Sequence, residues 1–217
     1  MPGSPAADQQ TEAVLARLAE RVDAYERHRP GHASRVAVLA ERLARAAGLP
    51  DAEVADVRQA ALGHGLGLYH LRLGALERSG PLTLVDRIEL WRHPLLAEQQ
   101  LAKRGGSRHA QLVVRWHHEW WNGQGYPDML SGDGIPLGAR ILRLAESYDA
   151  LSSDRPHRGA LDPLEARRAI ADGAGVEFDP VLAAMFLRVL EESAVEPERA
   201  EAPPPRLAPI RSTEAPR

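Results

Sequence analysis

The 217-residue sequence has no cysteine, which excludes disulfides and thiolate metal sites and leaves His, Asp and Glu as the available metal ligands; a reducing compartment fits this composition. It also lacks a strong charge balance. A formal net charge of -3 and a pI near 6.3 provide no general attraction to DNA, RNA or an anionic membrane, so an anionic ligand needs a local cluster of cations. No stretch approaches the roughly 18 apolar residues of a membrane span, and Met1 to Gln10 lacks the basic region and apolar run of a leader. A cytoplasmic protein is expected. Sustained strand alternation and internal repeats are missing as well.

What is present reads as helix. With 44% hydrophobic and 26% charged residues, the chain is long enough for one sizeable core. Three regions are expected: a disordered N-terminus over 1–10, a helical domain over 11–193, and a disordered tail over 194–217 rich in Pro, Ala and Glu. Val14, Leu15, Leu18, Val22 and Tyr25 recur at helical spacing from Thr11, and Val36, Leu39, Leu43 and Ala47 repeat this after Arg29-Pro30-Gly31. Asp51 is a candidate cap for a third helix that runs into Gly63-His64-Gly65. Thr83 and Asp86 form a capping box for a short helix expected to end at His93-Pro94. Helices over Leu95 to Lys103 and Arg108 to His118 follow, then a glycine-rich loop from Glu119 to Leu137. Loops this long inside a compact domain are usually functional. Helical patterns resume over Gly138 to Leu151, Pro163 to Ala171 behind Asp162 and Glu165, and Pro180 to Glu191.

Five of the nine histidines fall at expected helix ends: His32, His64, His93, and the pair His117 and His118. A single histidine there suits the helix macrodipole and needs no further role. Five beside Gly-rich or Pro-rich breaks suggest a shared site, because imidazole with a carboxylate holds Fe, Mn or Zn in helical bundles. Glu146, among apolar neighbours in a helix, is the natural carboxylate, unless it lies on a solvated face.

The ordered run HASRVAVLA, AALGHGLG, SGPLT, RHP, WHHEWWNGQGYP, GIPLGARILRLAESYDALSSDRPHR and FDP resembles an HD-GYP domain, a bacterial branch of the HD phosphohydrolase superfamily, from about His28 to about Leu190. The resemblance implies an all-α, HD-domain-like bundle with a long GYP loop. It further implies two or three divalent metal ions, usually iron or manganese, and hydrolysis of cyclic di-GMP or a related cyclic dinucleotide. Position by position it makes His32, His64, His93, His117, His118 and Glu146 metal ligands, and Arg155 and Arg158 substrate-binding residues. Arginine suits phosphate through bidentate pairing. Gly125, Tyr126 and Pro127 become the signature loop, for which GGDEF-domain cyclases are the implied partner.

Two departures fall on the chemistry. Gly65 stands where the family has the aspartate of its HD pair, and Leu68 where it has a lysine. A bridging carboxylate offsets the repulsion between two cations, and a lysine stabilises charge on phosphoryl oxygens; loss of one such donor typically costs about 10² to 10³ in rate. His28 also replaces a frequent glutamate, and Glu146 replaces an aspartate. The expected protein is therefore a degenerate module of cyclic di-GMP signalling, with reduced metal occupancy and little turnover, acting through nucleotide or partner binding. Two alternatives are an active phosphodiesterase, with a displaced carboxylate from Glu119 or Asp149 supplying the charge, and a structural module that binds partners through Trp120, Trp121 and Tyr126. In the expected arrangement His32, His64 and Glu146 form one side, and His93, His117 and His118 the other. The oligomeric state is left open.

Overall fold

The computed structural model describes residues 5–25, 30–71, 83–154 and 159–200, with the backbone alone at 5–8, 25, 70 and 193–200. Its helices are α1 (Pro5–Tyr25), α2 (His32–Ala46), α3 (Asp51–Gly63), α4 (Leu84–Leu90), α5 (His93–Ala102), α6 (Arg108–Arg115), α7 (Leu137–Ser152), α8 (Pro163–Asp172) and α9 (Pro180–Ala200). Two 3-10 helices, His64–His70 and Gly132–Gly134, complete the elements. Among the described residues the only strand-like feature is an isolated bridge between Ala174 and Phe178. The molecule is all-α, and no described helix is long and apolar enough to cross a membrane.

The sequence cues explain most of these boundaries. Thr83 with Asp86, and Asp162 with Glu165, form reciprocal capping boxes at the starts of α4 and α8. Ser107 caps α6 by accepting from the backbone N–H of Ala110. Three expectations are corrected. Asp51 does not cap α3: Pro50 occupies the cap position in extended conformation, and the Asp51 carboxylate accepts from Arg45 at 2.9 Å. His93 does not close α4 but opens α5, because Pro94 lacks an N–H where a helix start needs none. Helix α1 begins at Pro5 rather than Thr11, and α9 continues to Ala200, into the tail expected from residue 194.

The core is aliphatic. Leu15, Val36, Leu43, Val54, Val57, Leu101, Val113, Leu142, Ile170 and Phe186 bring α1 to α3, α5 to α7, α8 and α9 around one centre. Helix α2 packs on α3 and α7, and α5 packs on α6 and on the first 3-10 helix. That last contact is close. A Cβ on Gly67 would overlap the backbone carbonyl of His93, so only glycine lets the segment after His64 approach the start of α5. Two histidines distant in sequence are thereby brought into one site.

Candidate metal centre

The site is built where helices end. Carbonyls in the last turn of a helix have no intrahelical partner, and three histidines just past such ends fold back onto them. His64 Nδ1 lies 2.6 Å from the Ala61 carbonyl, His93 Nδ1 2.7 Å from that of Leu90, and His117 Nδ1 2.5 Å from that of Val114. A carbonyl only accepts, so each Nδ1 carries the proton and each Nε2 presents a lone pair. This is how metal-binding histidines are commonly oriented. His93, His117 and His118 offer ring nitrogens all within 4.8 Å of one another.

Glu146 reaches this group from α7. Its carboxylate oxygens lie 3.8 Å from His117 Nε2 and 3.9 Å from His118 Nε2. Sequence reasoning grouped Glu146 with His32 and His64; the structure sets it against His117 and His118, with its charge also felt at His64. Burial pushes the histidines toward the neutral form, lowering His93 to about 4 and His117 to about 3, with His64 and His118 also lowered. Burial works against the charge on Glu146. The surrounding imidazoles and the Arg143 guanidinium outweigh it and hold the carboxyl well below the ordinary range. His117 Nε2 and Glu146 Oε2 are buried without a hydrogen-bond partner. Such groups are costly unless paired, and neutral imidazoles beside a carboxylate are the donor set of iron, manganese or zinc sites. The residues therefore fit a divalent metal.

His32 and His64 form the other part of the site. His32 Nδ1 donates to Asp149 Oδ2 at 2.7 Å, and its Nε2 lies 3.2 Å from His64 Nε2. Arg35 donates to both carboxylate oxygens of Asp149, at 2.6 and 3.1 Å. Burial raises the Asp149 pKa, but the bonds from His32 and Arg35 prevail and lower it. Asp149 is thus engaged as the orienting partner of His32 and is not the displaced carboxylate considered from the sequence. Glu119 is no substitute either: it accepts from the backbone N–H groups of Asp128 and Leu130, at 2.7 and 3.1 Å, and so ties down the loop. Gly65 and Leu68 lie in the 3-10 helix that follows α3.

The GYP loop packs against the histidines. A Cβ on Gly125 would overlap the backbone of His118, Glu119 and Trp120, which accounts for the glycine. Tyr126 donates its backbone N–H to the His118 carbonyl at 3.2 Å and stacks its ring on His118, with centroids 4.8 Å apart. Trp91 stacks near the same tyrosine at 5.7 Å. Pro127 follows through a cis peptide bond. Trp121 lies under the Arg140 guanidinium at 5.5 Å.

A cavity of about 480 Å³ opens beside the cluster, lined in part by His118, Arg143, Glu146, Leu151 and Glu177. That volume is in the range of small-molecule sites, roughly 300–1,000 Å³. Arg143 approaches His118 Nδ1 at 3.1 Å and pairs with Glu177. Neither residue was singled out from the sequence; the signal available was a cation one turn before Glu146, on the same helix face. Arg155, Arg158 and His28 lie outside the described residues.

Comparison with known proteins agrees with this geometry. The HD domain family profile matches residues 16–182. The chain is 31% identical over 186 residues to a 3'3'-cGAMP-specific phosphodiesterase of Vibrio cholerae, covering 86% of this chain and 40% of that protein. It is 32% identical over 180 residues to the cyclic di-GMP phosphodiesterase response regulator RpfG of Xanthomonas campestris, covering 81% of this chain and 47% of that protein. The chain thus spans less than half the length of these relatives. A solved cyclic GMP-AMP-specific phosphodiesterase of V. cholerae shares the fold, with a TM-score of 0.65 at 19% identity over 89% of this chain and 54% of that one. With the histidine-lined helix ends, the GYP loop and the matched profile in agreement, the chain belongs to the HD domain family, in its HD-GYP branch.

Proposed function

We propose that this chain binds a divalent metal, iron or manganese, through His93, His117, His118 and Glu146, and a cyclic dinucleotide in the adjoining cavity, with little turnover. One observation carries the reading: the cavity wall includes His118 and Glu146 themselves, so a ligand filling it touches the metal-binding groups. A bound metal supplies Lewis acidity toward a phosphoryl oxygen. Arg143 lends positive charge in the same wall, and Glu177 orients it. Arg155 and Arg158 follow Leu151, a cavity residue, by four and seven positions in the sequence, and are assigned to the phosphates by the resemblance. The relatives named for cyclic di-GMP and cGAMP support the ligand class.

Weak turnover follows from Gly65 and Leu68, which provide neither carboxylate nor ammonium. Calorimetry with cyclic di-GMP and 3'3'-cGAMP in Mn²⁺, paired with chromatographic assay of hydrolysis, tests both parts. Binding is expected in the wild type, weakened by Arg143→Ala. Hydrolysis is expected to rise by about 10² or more in Gly65→Asp with Leu68→Lys. Absence of nucleotide binding, or turnover that the double substitution leaves unchanged, would contradict the proposal. A second role for the loop, contact with a GGDEF-domain protein, comes from the resemblance, and Met129, 72% exposed on the loop, offers an apolar contact point for it. Loss of co-purification with such a cyclase in Met129→Glu is the corresponding check.

A further inference from the structure

Helix α1 and the 3-10 helix that starts at His64 enclose a second cavity, separate from the one beside Glu146. Its volume is about 180 Å³, and among the described residues Leu18, Arg21, Val22, Leu66, Tyr69 and Arg104 line it. Local geometry puts these side chains together. Arg21 and Val22 follow Leu18 by three and four residues, so the three share one face of α1. Leu66 and Tyr69 are three apart on the 3-10 helix, where such positions eclipse. Helix α1 packs on that segment, and Arg104 enters from the turn after α5.

The wall is apolar and the rim cationic. Val22 and Leu66 are buried, and Tyr69 is half exposed. The Arg21 guanidinium lies over the Tyr69 ring, 6.0 Å from its centroid. Arg104 donates through Nη1 to the backbone and side-chain oxygens of Gln100, at 2.9 and 2.6 Å. Those acceptors are neutral, and among the described residues neither arginine pairs with a carboxylate. Two uncompensated guanidiniums at the mouth of an apolar cavity suit an anion with an apolar body, and guanidinium grips a carboxylate through paired N–H bonds. The volume sets the size. A cavity of about 150 Å³ holds one benzene, so this one accepts a single ring with its carboxylate; it is smaller than the roughly 300 Å³ at which sites for larger ligands begin.

We propose that this cavity is a regulatory site for a small aromatic carboxylate of phenylacetate size, with its ring against Leu18, Val22 and Leu66 and its charge on Arg21 and Arg104. Occupancy reaches the histidine site along the chain itself. Leu66 stands two residues after His64 and directly before Gly67, which is held so close to the His93 carbonyl that a Cβ would overlap it. A ring pressed on Leu66 therefore bears on both imidazoles.

Proton–nitrogen NMR of the full chain, without metal or nucleotide and titrated with phenylacetate, reads both binding and relay. Saturable shifts are expected at the amides of Arg21, Leu66 and Tyr69 and at the imidazoles of His64 and His93. Phenylacetamide, of equal size but uncharged, should bind at least about tenfold more weakly. Arg21→Gln and Arg104→Gln should each weaken phenylacetate by a similar factor, whereas Arg17→Gln, exposed on α1 and outside the cavity, should change nothing. Should Arg104→Gln unfold through loss of its bonds to Gln100, Arg21→Gln, at an exposed position, carries the test alone. Absence of saturable binding, equal affinity for phenylacetamide, or an affinity unchanged by Arg21→Gln overturns the site. Binding that leaves the His64 and His93 signals in place overturns its regulatory role.

Discussion

The two halves of the histidine site are wired differently. On one side, His93 and His117 are pinned by backbone carbonyls, His93 Nε2 lies 3.1 Å from His118 Nε2, and His117 Nε2 and Glu146 Oε2 are buried without a hydrogen-bond partner. On the other, His64 is likewise pinned by a carbonyl, but His32 is held by a carboxylate that Arg35 also grips, and the Nε2 atoms of His32 and His64 lie 3.2 Å apart. Backbone anchoring keeps a ligand geometry whether or not a metal is present, because a helix end cannot rotate away. Side-chain anchoring depends on charges that substitution can remove. The His32 anchor is therefore the one that substitution can loosen, while the rings pinned by carbonyls keep their orientation.

Acid should distinguish the halves most strongly. His93 and His117 have folded pKa values of about 4 and about 3, below the ordinary 6.5, so the unfolded chain takes up protons first as pH falls. Stability contributed by each is complete above about 6.5 and is lost as pH drops toward those values, at up to about 1.4 kcal/mol per pH unit per histidine. Chemical denaturation of the metal-free protein from pH 7 to pH 4.5 is expected to show this loss, with a flatter profile in His93→Gln. An unchanged slope in that variant would mean that the buried imidazoles do not govern the acid limb.

A pair of carboxylate substitutions is expected to have the next largest effect. Glu146→Gln should weaken Mn²⁺ binding by the larger factor, and Asp149→Asn by less, because Glu146 lies against His117 and His118 while Asp149 acts only through the orientation of His32; partners of this kind are worth about 10- to 100-fold in metal affinity. Calorimetric titration with Mn²⁺ measures both. The division of the site fails if Asp149→Asn costs as much as Glu146→Gln.

The smallest effect is expected at the junction. Gly67→Ala forces a methyl group against the His93 backbone, and overpacking of this sort costs about 1–3 kcal/mol. Thermal unfolding should fall by several degrees, and His93 should move relative to His64. A variant with wild-type melting and metal affinity would show that the approach of the 3-10 helix to α5 is not what joins the two clusters.

Much of this was legible in the residues alone. Helical periodicity and capping pairs place most of the elements, since spacing and local hydrogen bonding are short-range properties. The helix-end histidines were legible too, because imidazoles beside chain breaks have free carbonyls within reach. His93 was assigned to the wrong helix, since a proline after it reads equally as a stop and as a first turn. Asp149 and Glu119 were misjudged for another reason: a carboxylate's role depends on which cation or N–H reaches it, and those partners, Arg35 and the Asp128 and Leu130 amides, are set by packing.

The sequence by itself determined an all-helical chain with histidines at helix ends, both consequences of neighbours along the chain. Only the tertiary structure decided that Glu146 joins His117 and His118, that Arg143 and Glu177 wall the cavity, and that Arg21, Tyr69 and Arg104 meet at a second one. The physical reason is that metal sites and cavities are made by side chains converging from separate helices. Their separation in space follows from how glycine-lined surfaces and aliphatic faces pack, not from their separation in sequence.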